Sequence, residues 1–274
     1  MITKMDGNYE NITKIINYES SIQFVEKKFR SPDRFYCELN ALNLCDGVIK
    51  CPKVLDIDKK NLRINLSFIY GESIIAQQTN KTHLINLAEI LQKLHCIKVE
   101  NFGYLNSDVT SQLDNWLIYL TNRFNKRVLD LGLNIENINK FESYFKSNLD
   151  NLICEDLKPV LMHHDLKPAN IIVTPNNDIA LIDFDRACGG DPVSDLAKLY
   201  SRTFHREETN EWFFFLERYL GKTTDKDIMK RIEFYDVLHS MGSIAYYNSN
   251  PSLKYKKIAD NAKTHIRRIV NLEF

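Results

Sequence analysis

One segment of this 274-residue chain decides its interpretation: His163-His164-Asp165-Leu166-Lys167-Pro168-Ala169-Asn170. It lies between two short apolar runs, at 160–162 and 171–173, so we expect it to form a loop between two strands. The turn residues Pro175-Asn176-Asn177-Asp178 separate the second run from a third at 179–182. This arrangement predicts a β-hairpin that returns Asp183 to the side of the loop.

Three polar residues of this region are candidates for chemistry. Asp165, Asn170 and Asp183 would meet at the tips of adjacent strands, where their oxygens can converge. Phosphoryl transfer requires a carboxylate that orients the incoming hydroxyl and hard oxygen ligands for Mg²⁺. Asp165 can accept the hydroxyl proton, while Asn170 and Asp183 can offer a neutral and a charged oxygen to the metal.

The same residues resemble motifs of a known superfamily. The pattern His163-His164-Asp165…Asn170 resembles the HxDxxxxN catalytic loop of kinase-fold enzymes. Ile182-Asp183-Phe184-Asp185 and Gly190-Asp191-Pro192-Val193-Ser194-Asp195-Leu196-Ala197 resemble two further segments of the aminoglycoside phosphotransferase and choline kinase superfamily. Since all three match in order and spacing, the resemblance implies an α+β, two-lobed, protein-kinase-like fold.

The resemblance also implies roles and cofactors, namely ATP and Mg²⁺. Asp165 is the expected catalytic base, and Asn170 and Asp183 are the expected Mg²⁺ ligands and part of the cofactor site. His163 and Asp195 are expected to brace the catalytic loop. The order of the motifs predicts a small-molecule hydroxyl as the phosphoryl acceptor.

The small lobe is expected to supply a lysine for the ATP phosphates. Val25 and Lys27 share one face of a predicted strand at 22–29, and Lys28 lies on the other face. Lys27 fits the VxK pattern of the superfamily, and Lys28 is the alternative. Glu38 falls on the inward face of the following helix, where an ion pair with Lys27 would satisfy its charge.

Two lobes are predicted from the distribution of elements. Residues 1–70 are expected to form an N-terminal nucleotide-binding lobe, with strands at 12–16, 22–29, 54–57 and 62–70 around one helix. Ser31-Pro32-Asp33 is typical of a helix start. Residues 71–274 are expected to form a helical catalytic and substrate-binding lobe, beginning with an apolar stripe from Leu84 to Leu94.

Some positions are predicted through the resemblance alone. The backbones of Ser67 and Ile69, in an inter-lobe linker, are expected to bind adenine. Gly7-Asn8-Tyr9-Glu10-Asn11 resembles a degenerate nucleotide loop of the superfamily and is not a GxGxxG sequence. Asp185 has two possible interpretations: it contributes to metal or substrate binding, or it has no role in the site. His95 is expected to be structural.

Composition excludes some other classes of protein. Lys+Arg and Asp+Glu both total 36, so there is no basic excess of the kind that nucleic-acid binders carry. The six cysteines form no CxxC pair and have no zinc spacing, which is typical of reduced thiols in a cytoplasmic protein. No signal peptide or membrane-spanning stretch is predicted. The oligomeric state and the preference between ATP and GTP stay open.

The helical region predicts the charge of the acceptor. An acidic cluster precedes a group of aromatic residues: Glu207, Glu208 and Glu211 stand beside Trp212 and Phe213-Phe214-Phe215. Acidic groups suit an aminoglycoside, whereas aromatic faces suit an amino alcohol such as choline or thiamine through cation–π attraction. A cationic acceptor is therefore expected. A solvated helix start beside core aromatics is the alternative, and such a pattern more often has that meaning.

Two other functions compete with this interpretation. A protein kinase would also contain a loop like His163 to Asn170, but it expects a DFG motif and a later APE segment. Here Asp183-Phe184-Asp185 is followed after a short gap by Asp195, which leaves little room for an activation loop. A non-catalytic pseudokinase is the third hypothesis, and the presence of the five polar residues expected at a kinase active site disfavours it.

Overall fold

The computed structural model describes residues 2–5, 11–18, 21–75, 79–106, 113, 115–152, 156–223 and 226–272. The strands are β1 (Ile2–Met5), β2 (Asn11–Tyr18), β3 (Ser21–Phe29), β4 (Val54–Asp58), β5 (Arg63–Leu66), β6 (Glu72–Ser73), β7 (Gly103–Tyr104), β8 (Val160–Met162), β9 (Ile171–Val173), β10 (Ile179–Leu181) and β11 (Cys188–Gly190). The helices are α1 (Pro32–Cys45), α2 (Lys81–Leu94), α3 (Trp116–Leu131), α4 (Ile135–Leu152), α5 (Val193–Arg202), α6 (Asn210–Leu220), α7 (Lys226–Ser249) and α8 (Leu253–Val270).

A five-stranded antiparallel sheet occupies the N-terminal part, in the order β1-β2-β3-β5-β4. Lys27 lies in β3 opposite Thr13 of β2 and Ile64 of β5. Because side chains alternate along a strand, Lys27 is buried while its neighbour Lys28 is exposed. The register of β3 therefore directs Lys27 into the protein.

Helix α1 follows β3 and packs against the sheet. It begins at Pro32, as predicted, although the Ser31 side chain makes no capping hydrogen bond. A proline suits the first turn of a helix because its missing N–H would have no intrahelical partner there. Phe35 and Leu42 are buried on the inward face of α1, and fully buried Glu38 lies between them. The helix thus carries a carboxylate into the core beside Lys27.

The strand predicted at 62–70 is wrong in its second half. Strand β5 ends at Leu66. Ser67 instead holds the chain to the segment before β4, since its N–H donates to the Lys53 carbonyl and its hydroxyl accepts from the Lys53 N–H, both at 2.8 Å. The ladder ends there, and residues 67–70 form the connection to the rest of the chain.

Gly71 marks the point where the chain joins the second half of the fold. Its φ of 150° is one that residues with a side chain rarely adopt, and a Cβ atom there would overlap the Val173 carbonyl. The strand that follows, β6, pairs with β9 rather than with the N-terminal sheet. The division of the chain into two domains at residue 70 stays a prediction.

Two small antiparallel sheets flank residues 163–170 in the C-terminal half. One has the order β10-β9-β6 and contains the predicted hairpin, and the other has the order β7-β11-β8. Strands β6, β7 and β11 were not predicted. Helix α2 confirms the predicted apolar stripe, and helices form most of the described chain after residue 193. No helix among the described residues is both long enough and apolar enough to span a membrane.

Candidate active site

Residues 163–170 follow β8 and are held in place by helix α5. The Asp195 carboxylate, in the first turn of α5, accepts the backbone N–H of His163 at 2.7 Å and that of His164 at 2.8 Å. His95 lies 3.2 Å from the same carboxylate through Nε2, and the Tyr219 hydroxyl bonds its other ring nitrogen at 2.7 Å. Asp195 is fully buried, so these donors replace its hydration.

The His163 ring ties the loop to the β9–β10 hairpin. Its Nε2 donates to the Ile182 carbonyl at 2.9 Å, and its Nδ1 accepts the Asp165 N–H at 3.3 Å. The Ile182 N–H in turn donates to the Asn170 carbonyl at 3.0 Å. These contacts place Asp183, the next residue, beside the loop. The bracing predicted for His163 and Asp195 is therefore present as direct contacts.

Asp165 lies in this loop with its carboxylate held by two donors. Lys167 Nζ lies 2.6 Å from Oδ2, and the Asn170 amide nitrogen lies 3.2 Å from the same oxygen. Burial acts to raise the pKa of the Asp165 carboxyl, but Lys167, Arg186 and Lys198 outweigh it and lower that pKa. The carboxylate is consequently ionised at neutral pH and can accept a proton from a hydroxyl.

Lys27 joins the two halves of the fold. Its Nζ lies 2.7 Å from Glu38 Oε2 on α1 and 2.5 Å from Asp183 Oδ1 after β10. Burial acts to lower the pKa of Lys27, but Asp183 and Glu38 outweigh it and raise that pKa. Burial likewise acts to raise the pKa of Asp183, and Lys27 together with Lys167 holds it low. The predicted Lys27–Glu38 ion pair is present, and both Lys27 and Asp183 are charged.

The donor set of Asn170 and Asp183 fits Mg²⁺. The Asn170 Nδ2 donates to the Asp165 carbonyl at 2.9 Å, so the amide oxygen is directed away from that group. Asp183 is ionised, and Lys27 engages only one of its oxygens. The described residues contain no group of three or more His, Cys, Asp or Glu suited to a metal. One carboxylate and one amide are nonetheless sufficient where substrate phosphates and water complete the shell of Mg²⁺.

Asp185, left open by the sequence, bonds to the N-terminal strands. Its Oδ2 accepts from the Asn11 amide at 2.8 Å, and its backbone carbonyl accepts from Arg34 at 3.1 Å. Burial and the charge of Asp183 raise the pKa of Asp185. Asn11 is the last residue of the predicted nucleotide loop, whose other positions, 7–10, lie outside the described residues.

The predicted adenine-binding linker has backbone groups to offer. The Ser67 N–H is occupied by the Lys53 carbonyl. The Ser67 carbonyl and both backbone groups of Ile69 take part in no backbone hydrogen bond within the described part of the chain. Adenine recognition through these two residues stays a prediction, and it is restricted to the carbonyl in the case of Ser67.

The acidic cluster that suggested a cationic acceptor is solvated. Glu207, Glu208 and Glu211 are all exposed at the start of α6, whereas Trp212 and Phe215 are fully buried. These aromatics pack in the core and present no open cage, so the alternative of a solvated helix start describes this region.

Two basic residues near Asp165 were not identified from the sequence. Lys167 pairs directly with the Asp165 carboxylate and lies within the segment that decides the fold, so its spacing could have indicated it. Lys198 lowers the pKa of Asp165 from helix α5. Lys198 lies one turn after Asp195 on the same face of α5. This spacing indicates a role only when it is known that α5 contacts the loop.

With the fold and site established, comparison with known proteins assigns the chain to a class. The chain belongs to the phosphotransferase enzyme family, whose model matches residues 2–235. The search of curated proteins found no match.

Solved structures share this fold at low sequence identity. A thermostable mutant of the aminoglycoside phosphotransferase APH(4)-Ia has a TM-score of 0.74 at 14% identity, over 99% of this chain and 94% of that one. The gentamicin complex of APH(2")-IIa has a TM-score of 0.69 at 18% identity, over 97% and 90%. A choline/ethanolamine kinase family protein from Mesorhizobium loti has a TM-score of 0.71 at 15% identity, over 97% and 88%. These matches confirm the predicted kinase-like fold.

Proposed function

We propose that the protein is an ATP- and Mg²⁺-dependent kinase that transfers the γ-phosphoryl group to a hydroxyl of a small molecule. The observation that carries this proposal is the convergence of Asp165, Asn170 and the Lys27–Asp183 pair on one loop–hairpin junction. A charged lysine, a carboxylate and an amide oxygen at one place are what positioning and charge neutralisation of a triphosphate require.

Each residue of the proposed active site has a separate role. Lys27 binds the non-transferred phosphates and is kept in place by Glu38. Asp165 orients the acceptor hydroxyl and takes its proton during transfer. Asn170 and Asp183 hold Mg²⁺, which when bound neutralises the charge of the phosphates. The carbonyl of Ser67 and the backbone of Ile69 bind the adenine.

A small molecule is favoured over a protein as the acceptor. Between Asp183 and Asp195 the chain forms β11 and enters α5 at Val193, so the segment that would form an activation loop is taken up by regular structure. In the solved structures with this fold, a ternary complex of APH(4)-Ia contains AMP-PNP and hygromycin B. This precedent supports nucleotide binding together with a small acceptor.

An ADP-release assay of the purified protein with Mg²⁺ and ATP tests the proposal. The acceptors include choline, thiamine and aminoglycosides, which the sequence favoured, together with neutral and anionic hydroxyl compounds. We expect ADP release that depends on one class of acceptor and is lost in Asp165→Asn. A protein that binds ATP and releases no ADP with any acceptor would be a pseudokinase, and the proposal would be wrong.

A further inference from the structure

Several basic side chains act electrostatically on the Asp165 carboxylate. Lys167, Arg186 and Lys198 lower its pKa against the opposing effect of burial. Arg202 and Arg123 in turn are close enough to Lys198 to lower its pKa. We call the following residues the basic cluster: Arg123 on α3, Arg186 after β10, and Lys198 and Arg202 on α5.

Helix α5 directs part of the basic cluster towards the catalytic loop. Asp195, Lys198 and Arg202 are spaced three and four residues apart, so they share one helix face. Asp195 on that face bonds the backbone of His163 and His164. Lys198 and Arg202 therefore extend along the same side of the loop as the carboxylate that braces it.

Three members of the basic cluster have no acidic partner. Within the described part of the chain, no carboxylate lies within 4.0 Å of the charged groups of Arg123, Lys198 or Arg202. Arg123 donates to the Tyr119 hydroxyl at 2.9 Å, and Arg202 donates to the Ser243 hydroxyl at 2.9 Å. These partners are neutral hydroxyls, so none of the described carboxylates pairs directly with the three positive charges.

Arg206, the next arginine after Arg202, has a carboxylate partner. Arg206 forms a bidentate ion pair with buried Asp236, with Nε 2.6 Å from Oδ2 and Nη2 3.0 Å from Oδ1. Burial and Arg202 lower the pKa of Lys198 to about 7, and they outweigh the opposing effect of Asp165. Clustered cations without counter-charges are costly in a folded protein, and a bound anion would relieve that cost.

A small cavity next to Arg123, with room for about one water molecule, is lined by an unsatisfied imidazole. Arg123, His164, Ser194 and His239 contribute to its lining. His164 is only 5% exposed, and neither of its ring nitrogens has a hydrogen-bond partner among the described residues. Burial and Arg123 hold the pKa of His164 well below its ordinary value, so the ring is neutral and carries one N–H donor. That donor is suited to a single oxygen atom, either of a water molecule or at the end of a ligand, since the cavity has no room for more.

The geometry points to an acceptor that carries an anionic group, a carboxylate or a phosphate, bound by Lys198, Arg202 and Arg123 beside Asp165. This inference rests on the proposed phosphoryl transfer. The acceptor hydroxyl oxygen forms a bond to the γ-phosphorus of ATP, and the bond from that phosphorus to the bridging oxygen of ADP breaks. ADP leaves with the electron pair, and Asp165 takes the hydroxyl proton. A cationic acceptor would meet repulsion at the same place.

Four linear six-carbon compounds of nearly identical shape test the charge preference. They are glucitol, gluconate, glucitol 6-phosphate and the amine glucamine, and their dissociation constants are measured by calorimetry with the full chain. We expect gluconate or glucitol 6-phosphate to bind about tenfold or more tightly than glucitol, as for hydrogen bonds to charged groups. The two anions distinguish carboxylate from phosphate. Equal affinities, tighter binding of glucamine or no binding of either anion would overturn the inference.

Variants at Lys198 connect that preference to the basic cluster. Lys198→Met should weaken anion binding about tenfold and leave the dissociation constant of ATP unchanged. Lys198→Glu should shift the preference towards glucamine. Lys126→Met, an exposed lysine on α3, is the matched control and should change neither. Arg202→Gln repeats the test should the Lys198 variants fail to fold.

The outcomes separate this inference from the proposed function. Loss of ATP binding in Lys198→Met, with anion binding intact, would assign the basic cluster to the nucleotide and overturn the inference. Acceptor-dependent ADP release with an amine substrate would refute the anionic acceptor and leave the kinase proposal standing. Absence of ADP release with every acceptor would refute the kinase proposal itself.

Discussion

Lys27 and Asp183 are 156 positions apart in the chain, yet Nζ of the first lies 2.5 Å from Oδ1 of the second. This ion pair joins the N-terminal sheet to the hairpin that follows residues 163–170, the proposed catalytic loop. Glu38 shares the same ammonium group at 2.7 Å. A single buried cation therefore connects β3, helix α1 and the proposed metal site.

Removing this cation should affect both nucleotide binding and stability. We expect Lys27→Met to raise the dissociation constant of ATP about tenfold or more, since a charge-assisted contact to phosphate is lost. Loss of one partner from a buried ion pair should also cost about 3–5 kcal/mol in the free energy of unfolding. Displacement of a fluorescent nucleotide and urea denaturation measure the two effects. Lys28→Met, at an exposed position, is the control, and the opposite pattern would mean that the register of β3 is wrong.

The Asp165 carboxylate should matter for turnover rather than for nucleotide binding. Asp165→Asn keeps the shape of the side chain but removes the proton acceptor, and we expect kcat to fall about 10²–10⁴-fold. The ATP dissociation constant should stay within about twofold of wild type, because no phosphate-binding group is lost. Asp260→Asn, at an exposed position on α8, controls for a general loss of charge. Full activity of Asp165→Asn in steady-state assays would refute its assignment.

The bracing carboxylate should be sensitive to the loss of a single oxygen. In Asp195→Asn one acceptor becomes an NH₂ donor, so the backbone N–H of either His163 or His164 loses its partner. We expect a cost of about 1–3 kcal/mol in the free energy of unfolding, as for an unsatisfied buried group. Chemical denaturation measures this cost. A free energy of unfolding equal to that of wild type would show that the two N–H contacts do not stabilise the loop.

Lys198 should destabilise the fold in a pH-dependent way. Its pKa is lowered to about 7 in the folded protein from 10.5, first by burial and then by Arg202. Below the folded pKa the charge is present in both states, so the penalty is largest there. Between about pH 7 and pH 10.5 the unfolded state keeps a proton on Lys198 that the folded state has lost. The free energy of unfolding therefore increases with pH over this range.

Lys198→Met should therefore be more stable than wild type, by a margin that is largest below pH 7 and disappears near pH 10.5. Thermal or urea denaturation across this range measures the margin. The other charged and titratable groups facing Lys198 are Arg202 on the same helix, Asp165 and His164 on the loop, Arg123 on α3, Arg186 after β10 and His239 on α7. A variant less stable than wild type at pH 6 would contradict the unpaired state of this lysine.

The catalytic loop and the strand register could be read from the sequence because their signals are local. Two short apolar runs and a four-residue turn predict the β9–β10 hairpin, which the structure confirms. Alternation along β3 separates Lys27 from Lys28. The length of β5 could not be read in this way, because the apolar residues continue past Leu66 while the pairing with β3 ends there. Strands β6, β7 and β11, of two or three residues, are too short to carry a periodic signal.

The sequence by itself determined the polar groups of the proposed active site. Asp165 and Asn170 lie on one loop, and a single hairpin brings Asp183 to them, so spacing along the chain was sufficient. Apart from the local ion pair between Lys167 and Asp165, tertiary structure decided the electrostatic environment of that site. The basic cluster is assembled from helices α3 and α5 and from the segment after β10, which meet only through packing. Coulombic interactions depend on the distance between charges and on their burial, and neither can be read from the order of residues in the chain.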